Sequence, residues 1–211
     1  VTGAADDSLD LDEGYRGNLQ YVFVHQADDA GNAALEWSKG NNEGDPDTDV
    51  TILNGTFVGS NADASIGAIL KDEIKGNVWN SIFALAGQGH IQLEDEGTVA
   101  NLDAGDITVQ YNLFVDEGEV FKVDGTGDYS ASMFDAAMRD EANNNVFGED
   151  PGFGSAEFGS PDVSVAADGA AAGIGAGANS PSGFDANDWV GAVEPGGDNW
   201  TTAAWTNYSV D

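Results

Sequence analysis

The segment DDSLDLDEGYRG, residues 6–17, places five carboxylates in eight positions, Asp6 to Glu13, with two leucines between them. Dense hard oxygen donors suit Ca²⁺, and Asp10, Asp12 and Gly14 begin a D-x-D-x-G loop. The EF-hand form of that loop closes on a Glu at its last position, where a count from Asp10 reaches Tyr21 instead. The competing reading is a solvated acidic edge: with Leu9 and Leu11 facing a core, Ser8, Asp10 and Asp12 face out, and Asp6, Asp7 and Glu13 sit on flanking turns. Asp6, Asp10 and Asp12 are thus the candidates for a structural Ca²⁺, and no other cofactor is indicated. The acidic loops QADDAGN (Asp28, Asp29) and NNEGDPDTD (Glu43, Asp45, Asp47, Asp49) read in the same two ways.

Other chemistry is sparse. The chain has no cysteine, hence no thiol nucleophile, thiolate zinc site or disulfide framework. Its two histidines, His25 and His90, fall at non-equivalent repeat positions, which points to separate hydrogen-bonded side chains rather than a shared zinc. No nucleophile elbow, P-loop or dinucleotide fingerprint occurs. A glycosidase needs two carboxylates about 5 to 10 Å apart, but among 38 acids such pairs arise by chance. Trp37 and Trp79 are the sugar-stacking candidates, provided they are exposed.

Charge narrows the partners. Six basic against 38 acidic residues give a net charge of −32, which excludes nucleic acid and anionic membrane surfaces and disfavours polyanionic substrates. No apolar run approaches the ~20 residues of a membrane span, so direct membrane insertion is not expected. A hydrophobic share of 41% with five tryptophans contradicts the disorder that usually accompanies such acidity. An acidic but well-cored protein suits a saline or calcium-rich medium, and the expected location is extracellular or at the cell surface. A start at Val1 rather than Met suggests a processed or truncated product.

The elements that must carry these residues repeat. VTILNGTFV from Val50, GNVWNSIFA from Gly76 and DITVQYNLFV from Asp106 align without gaps on Ile52, Val78 and Val109, and GNLQYVFVHQ from Gly17 joins them at Leu19. Within each, apolar residues alternate with small or polar ones, the period of a strand. A second strand family lies between them: SLDLDEG, ALEWSKG, AILKDE and IQLEDEG. The triplet DEG recurs at Asp12, Asp95 and Asp116, after an apolar strand each time, and reads as an acidic turn. Units of about 30 residues with no helix between their strands point to a β-solenoid. The fold class is all-β: a right-handed parallel β-helix of about four coils, with one short helix and a long irregular C-terminal strap.

Residues 1–125 form the coils; residues 126–211 form the rest of a single structural domain. In YSASMFDAAMRDEA, Met133, Phe134, Ala137 and Met138 fall at helical spacing. Residues 143–183, rich in Gly, Ala, Ser and Pro, read as loop too small-sided for a core. Phe184, Trp189, Val190, Trp200 and Trp205 read as anchors fastening the strap to the coils. Asn54 and Asn80 share a repeat position and suggest a stacked amide ladder, from which Asn112 is displaced by one place.

The segments VTGAADDSLDLDEGYRGNLQYVFVHQADDAGNAALEW and FDANDWVGAVEPGGDNWTTAAWTNY resemble a group of large, acidic, secreted or lipid-anchored right-handed parallel β-helix proteins of marine and halophilic bacteria, Bacteroidota among them. The resemblance covers most of the chain and specifies a fold rather than an activity. It implies further coils ahead of GAADDS, and one departure, Leu11 where an aromatic is frequent, reads as a core substitution. The function expected is a non-enzymatic structural or adhesive β-solenoid of the cell surface. Its partners are further copies, as in a filament, or another surface protein, engaged through an open N-terminal coil. The alternatives are a carbohydrate-binding or carbohydrate-cleaving β-helix and an accessory subunit docked on a larger surface complex. Pectate-lyase-like catalysis needs a basic residue beside Ca²⁺-binding carboxylates, and the six basic residues form no recognisable cluster.

Overall fold

The computed structural model describes residues 1–39, 46–60, 65–116 and 120–208. Glu43, Asp45 and the last two residues of the third DEG triplet lie outside them. Two parallel sheets alternate along the chain. The first joins β1 (Leu9–Leu11), β3 (Ala33–Trp37), β5 (Ile66–Leu70), β8 (Gly89–Glu94) and β11 (Phe121–Asp124) in that spatial order. The second pairs β2 (Arg16–His25) with β4 (Asp49–Val58), then passes to β6 (Lys75–Trp79) and β7 (Ile82–Ala84), to β9 (Ile107–Gln110) and β10 (Leu113–Phe114), and to β12 (Val146–Phe147). The register points expected from the repeats are hydrogen-bonded neighbours: Leu19 lies opposite Ile52, Ile52 opposite Val78, and Val78 opposite Val109. In the other sheet Leu9, Leu35, Ala68 and Ile91 follow one another in the same way.

Because parallel neighbours stand about 4.8 Å apart, equivalent inward side chains meet along the stack. Phe57, Phe83, Phe114 and Phe147 occupy one such file, with ring centroids 5.0, 5.2 and 5.2 Å apart and planes within 25° of parallel. The guanidinium of Arg139 closes the file 4.1 Å over the Phe147 ring. Around it Ile52, Val78, Leu35, Leu70, Leu93 and Val109 complete a continuous core.

The corner of each layer in the second sheet is a single left-handed residue: Tyr21 (φ 60°), Asn54 (φ 54°), Asn80 (φ 52°) and Tyr111 (φ 56°). One such residue re-aims an extended chain without a loop, and Asn tolerates the conformation well. Gly76, where β6 begins, has φ +130° and a Cβ there would stand 1.9 Å from the Val50 carbonyl, so only glycine fits.

Among the described residues two α-helices are present where one was expected. The expected one, α2 (Ala131–Met138), buries Phe134 and Met138 against the end of the core and leaves Met133 outside. The additional one, α1 (Glu96–Ala104), sits between β8 and β9, where DEG at Asp95 read as a turn. Its apolar periodicity is poor and its ends define it: the Asp95 carboxylate accepts from the Thr98 amide, and left-handed Gly105 closes the other end. No helix among the described residues is long and apolar enough to cross a membrane.

The strap also differs from expectation. Val163, Val165, Ala171, Val190, Ala192 and Val193 are buried and make two small clusters with Phe23, Val58, Ile82 and Leu113 on the outer side of the second sheet. Small side chains suffice because the strap lies close: Ile82 Cδ1 would sit 2.6 Å from a Cβ on Gly191. Val190 is buried in one cluster and half-buried Trp200 packs against the other, whereas Phe184 and Trp189 are half-buried outside both and Trp205 is 71% exposed. Truncating one ring of the aromatic file leaves a cavity that its neighbours cannot close without breaking register. Phe83→Ala is therefore expected to lower stability by about 3–5 kcal/mol, read as a drop in unfolding free energy in urea, whereas Met133→Ala should change it by less than about 0.5 kcal/mol.

Candidate functional site

The asparagines of the corners position the site. Asn54 and Asn80 are fully buried but do not bond each other as a ladder would require. A third asparagine, Asn187 of the strap, stands between them: its amide donates to Asn54 Oδ1 at 2.9 Å, and its Oδ1 accepts from Asn54 at 3.1 Å and from Asn80 at 3.4 Å. Left-handed geometry aims these amides outward, where the strap meets them, and Gln20 of the neighbouring strand β2 also donates to Asn54 Oδ1 at 3.2 Å. Asn80 Oδ1 also takes the Ala176 amide at 2.8 Å, and Asn54 Nδ2 donates to the Trp189 carbonyl at 3.1 Å. Asn112 is displaced as read, and accepts from the Ser81 amide at 2.8 Å.

Fixed in this way, residues 189–205 lie beside the Tyr21 corner and border an open cleft of about 610 Å³ lined by Tyr21, Trp189, Ala192, Glu194, Asp198, Trp200 and Trp205. Trp200 begins a short 3₁₀ turn, Trp200–Thr202, capped by Asn199, whose Oδ1 accepts from the Thr201 amide at 3.0 Å. Asn199 is itself held by Asp162, whose carboxylate is kept below its ordinary pKa by hydrogen bonds from Ser164 and Asn199. The Trp200 indole donates to the Ala192 carbonyl at 2.8 Å, and its ring lies parallel to that of Trp205, 4° apart in tilt at 5.8 Å. Burial raises the Tyr21 phenol pKa, and the Asp185 and Glu194 carboxylates raise it further. It is therefore a protonated hydroxyl at neutral pH, 3.4 Å from Asp185 Oδ2. Apolar faces with a few polar groups are the composition of a small-molecule or sugar site.

The residues singled out in the sequence fall elsewhere. Trp37 is completely buried, opposite Leu11 and Leu70, and cannot stack on a sugar. Trp79 is half-buried on the outer side of β6, its indole donating to Thr108 Oγ1 at 2.7 Å and its ring against Tyr111; it does not line the cleft. Among the described residues no group of three or more histidine or acidic side chains is gathered as for a metal ion. Asp6 and Asp10 are exposed and Asp12 is half-buried. Burial, then Asp12 and Glu36, raise the pKa of Asp10. His90 is buried against Phe83 and Phe114 with Nε2 3.1 Å from Asp116, and this contact holds the Asp116 carboxyl below its usual range. His25 is buried beside Phe158, lining a separate cavity of about 260 Å³ with Gln26, Asp28 and Glu157.

Residues 1–157 match the family model described as a pectate-lyase like beta helix domain. No curated protein and no solved structure matches the chain. Six of the seven residues lining the tryptophan cleft lie beyond the matched segment.

His25 gives the pH response a sign. Burial lowers its pKa beneath the ordinary value of 6.5, with a backbone hydrogen bond to Ala156 opposing. Below pH 6.5 the unfolded chain takes a proton that the folded chain refuses, so stability is full above that value and declines as pH falls toward the depressed one. Urea unfolding at a series of pH values should show this decline, and His25→Gln should flatten it in that window.

Proposed function

The chain belongs to the pectate-lyase-like β-helix domain family, and from that premise we propose that it is a non-enzymatic adhesive protein of the cell exterior that binds carbohydrate in the tryptophan cleft. The cleft carries the proposal: three indoles, one phenol and two carboxylates converge on a space of about 610 Å³. Indole faces bury the C–H faces of pyranose rings, and carboxylates and the Tyr21 hydroxyl accept from or donate to sugar hydroxyls. The parallel sheets are read as about four coils of a right-handed β-solenoid, a rigid rod that presents the cleft at a fixed height. An acidic surface of net charge −32 suits a saline exterior. No basic residue lines the cleft, which separates this reading from cleavage of polyuronates.

A second reading, self-association, is favoured by the sheet edges. Helix α2 covers one end of the core, while β1 pairs only with β3 and β2 only with β4 among the named strands. The outer edge of β1 would accept a further parallel strand, whereas the end of β2 is already taken by residues 1–3: Thr2 bridges His25, whose amide donates to the Val1 carbonyl at 3.0 Å. Light scattering in high salt, with Ca²⁺ and then with a chelator, separates assemblies from a monomer and reveals any part for Ca²⁺.

The sugar reading is tested by affinity electrophoresis in gels loaded with neutral, amino and uronic polysaccharides. Retardation by at least one is expected, and Trp205→Ala, at an exposed ring, should weaken it roughly two- to tenfold, about 0.5–1.5 kcal/mol, with thermal unfolding unchanged. Retardation by none of the three would reject the proposal.

A further inference from the structure

Charge is distributed unevenly along this chain. Residues 140–211 contain twelve acidic residues and no lysine, arginine or histidine. Four of the cations are engaged in ion pairs elsewhere: Lys39 with Asp47 and Glu73, Lys71 with Glu36, Lys75 with Asp47 and Asp106, and Arg139 with Asp135. Glu194 and Asp198 therefore face the cleft with four aromatic rings beside them and no cationic side chain in its lining. Asp185 adds a third carboxylate at the Tyr21 hydroxyl.

An aromatic wall and a carboxylate attract the same kind of group. The ring quadrupole presents a negative face to a cation, and the carboxylates add charge that nothing in the wall offsets. A uronate meets repulsion from both. A neutral sugar meets only the stacking surface.

Resting on the carbohydrate reading, we infer that the cleft selects amino sugars with a free, protonated amine, seated against the indoles with its ammonium toward Glu194 and Asp198. The selection is electrostatic and weakens with salt, while stacking on Trp200 and Trp205 does not.

The test uses the whole chain and three matched probes: glucosamine trimer, N-acetylglucosamine trimer and galacturonic acid trimer. They are titrated by calorimetry and tryptophan emission at a pH that protonates the amine and ionises the carboxylates. The free-amine trimer should bind roughly tenfold more tightly than the acetylated one at low salt, and the advantage should shrink between about 20 and 200 mM salt. Glu194→Gln with Asp198→Asn, measured beside each single variant, should bring the free-amine trimer down to the affinity of the acetylated trimer in the same variant, so that the ratio between the two probes, rather than either affinity alone, is the readout. Asp28→Asn with Asp29→Asn, which removes the same charge from an exposed loop, should leave both affinities as they were.

Equal affinity for the two glucosamine trimers, or tighter binding of the uronate, overturns the inference and leaves the sugar-binding reading standing. An equal loss in both double variants assigns the attraction to overall surface charge and also overturns it. Binding of none of the three at the cleft removes the inference together with the reading beneath it.

Discussion

The spacing between parallel strands governs this molecule. Hydrogen bonding sets it at about 4.8 Å, and an aromatic ring packs face to face at nearly the same distance. One phenylalanine per layer at Phe57, Phe83, Phe114 and Phe147 therefore fills the centre with centroids 5.0–5.2 Å apart. A slip of one residue would turn that file out of the core and bring polar neighbours such as Thr56 inward. Backbone pairing and core packing thus demand the same register, and each makes the other more specific.

The corners follow from this demand. A layer must change direction without losing its place in the stack, and one left-handed residue does so with no inserted loop. Where that residue is asparagine, its amide faces outward and must find partners. Asn187 and the backbone of residues 176–191 supply them. Where it is Tyr21, the ring becomes part of the cleft. The same backbone requirement yields a fastening in two layers and a wall of the cleft in another.

Much of the coil architecture was legible in the sequence because it is periodic. Leu19, Ile52, Val78 and Val109 could be aligned by eye, and they pair. The burial of Trp37 was legible too, since it shares its repeat position with Leu11, Leu70 and Leu93; treating it as an exposed aromatic overlooked that column. Helix α1 was not legible from periodicity, because capping by Asp95 and Gly105 defines it. Asn187 was hidden for a related reason: it belongs to no repeat, and its role exists only when the corner asparagines face it. The cleft was the least legible part. Apart from Tyr21, its residues come from a strap with no period, whose path is set by contacts with a sheet far earlier in the chain.

The fastening of the strap has a bearing on how such a protein changes over time. The hydrogen bonds of its central part to the earlier sheet run through Gln20, Asn54, Thr56 and Asn80, and through Tyr21, which also lines the cleft. Glu194, Asp198 and Trp205 take no part in them. Substitution at these three positions therefore removes none of the hydrogen bonds that hold the strap against the sheet. The scaffold thus tolerates a change of chemistry at these positions over generations without a change of core.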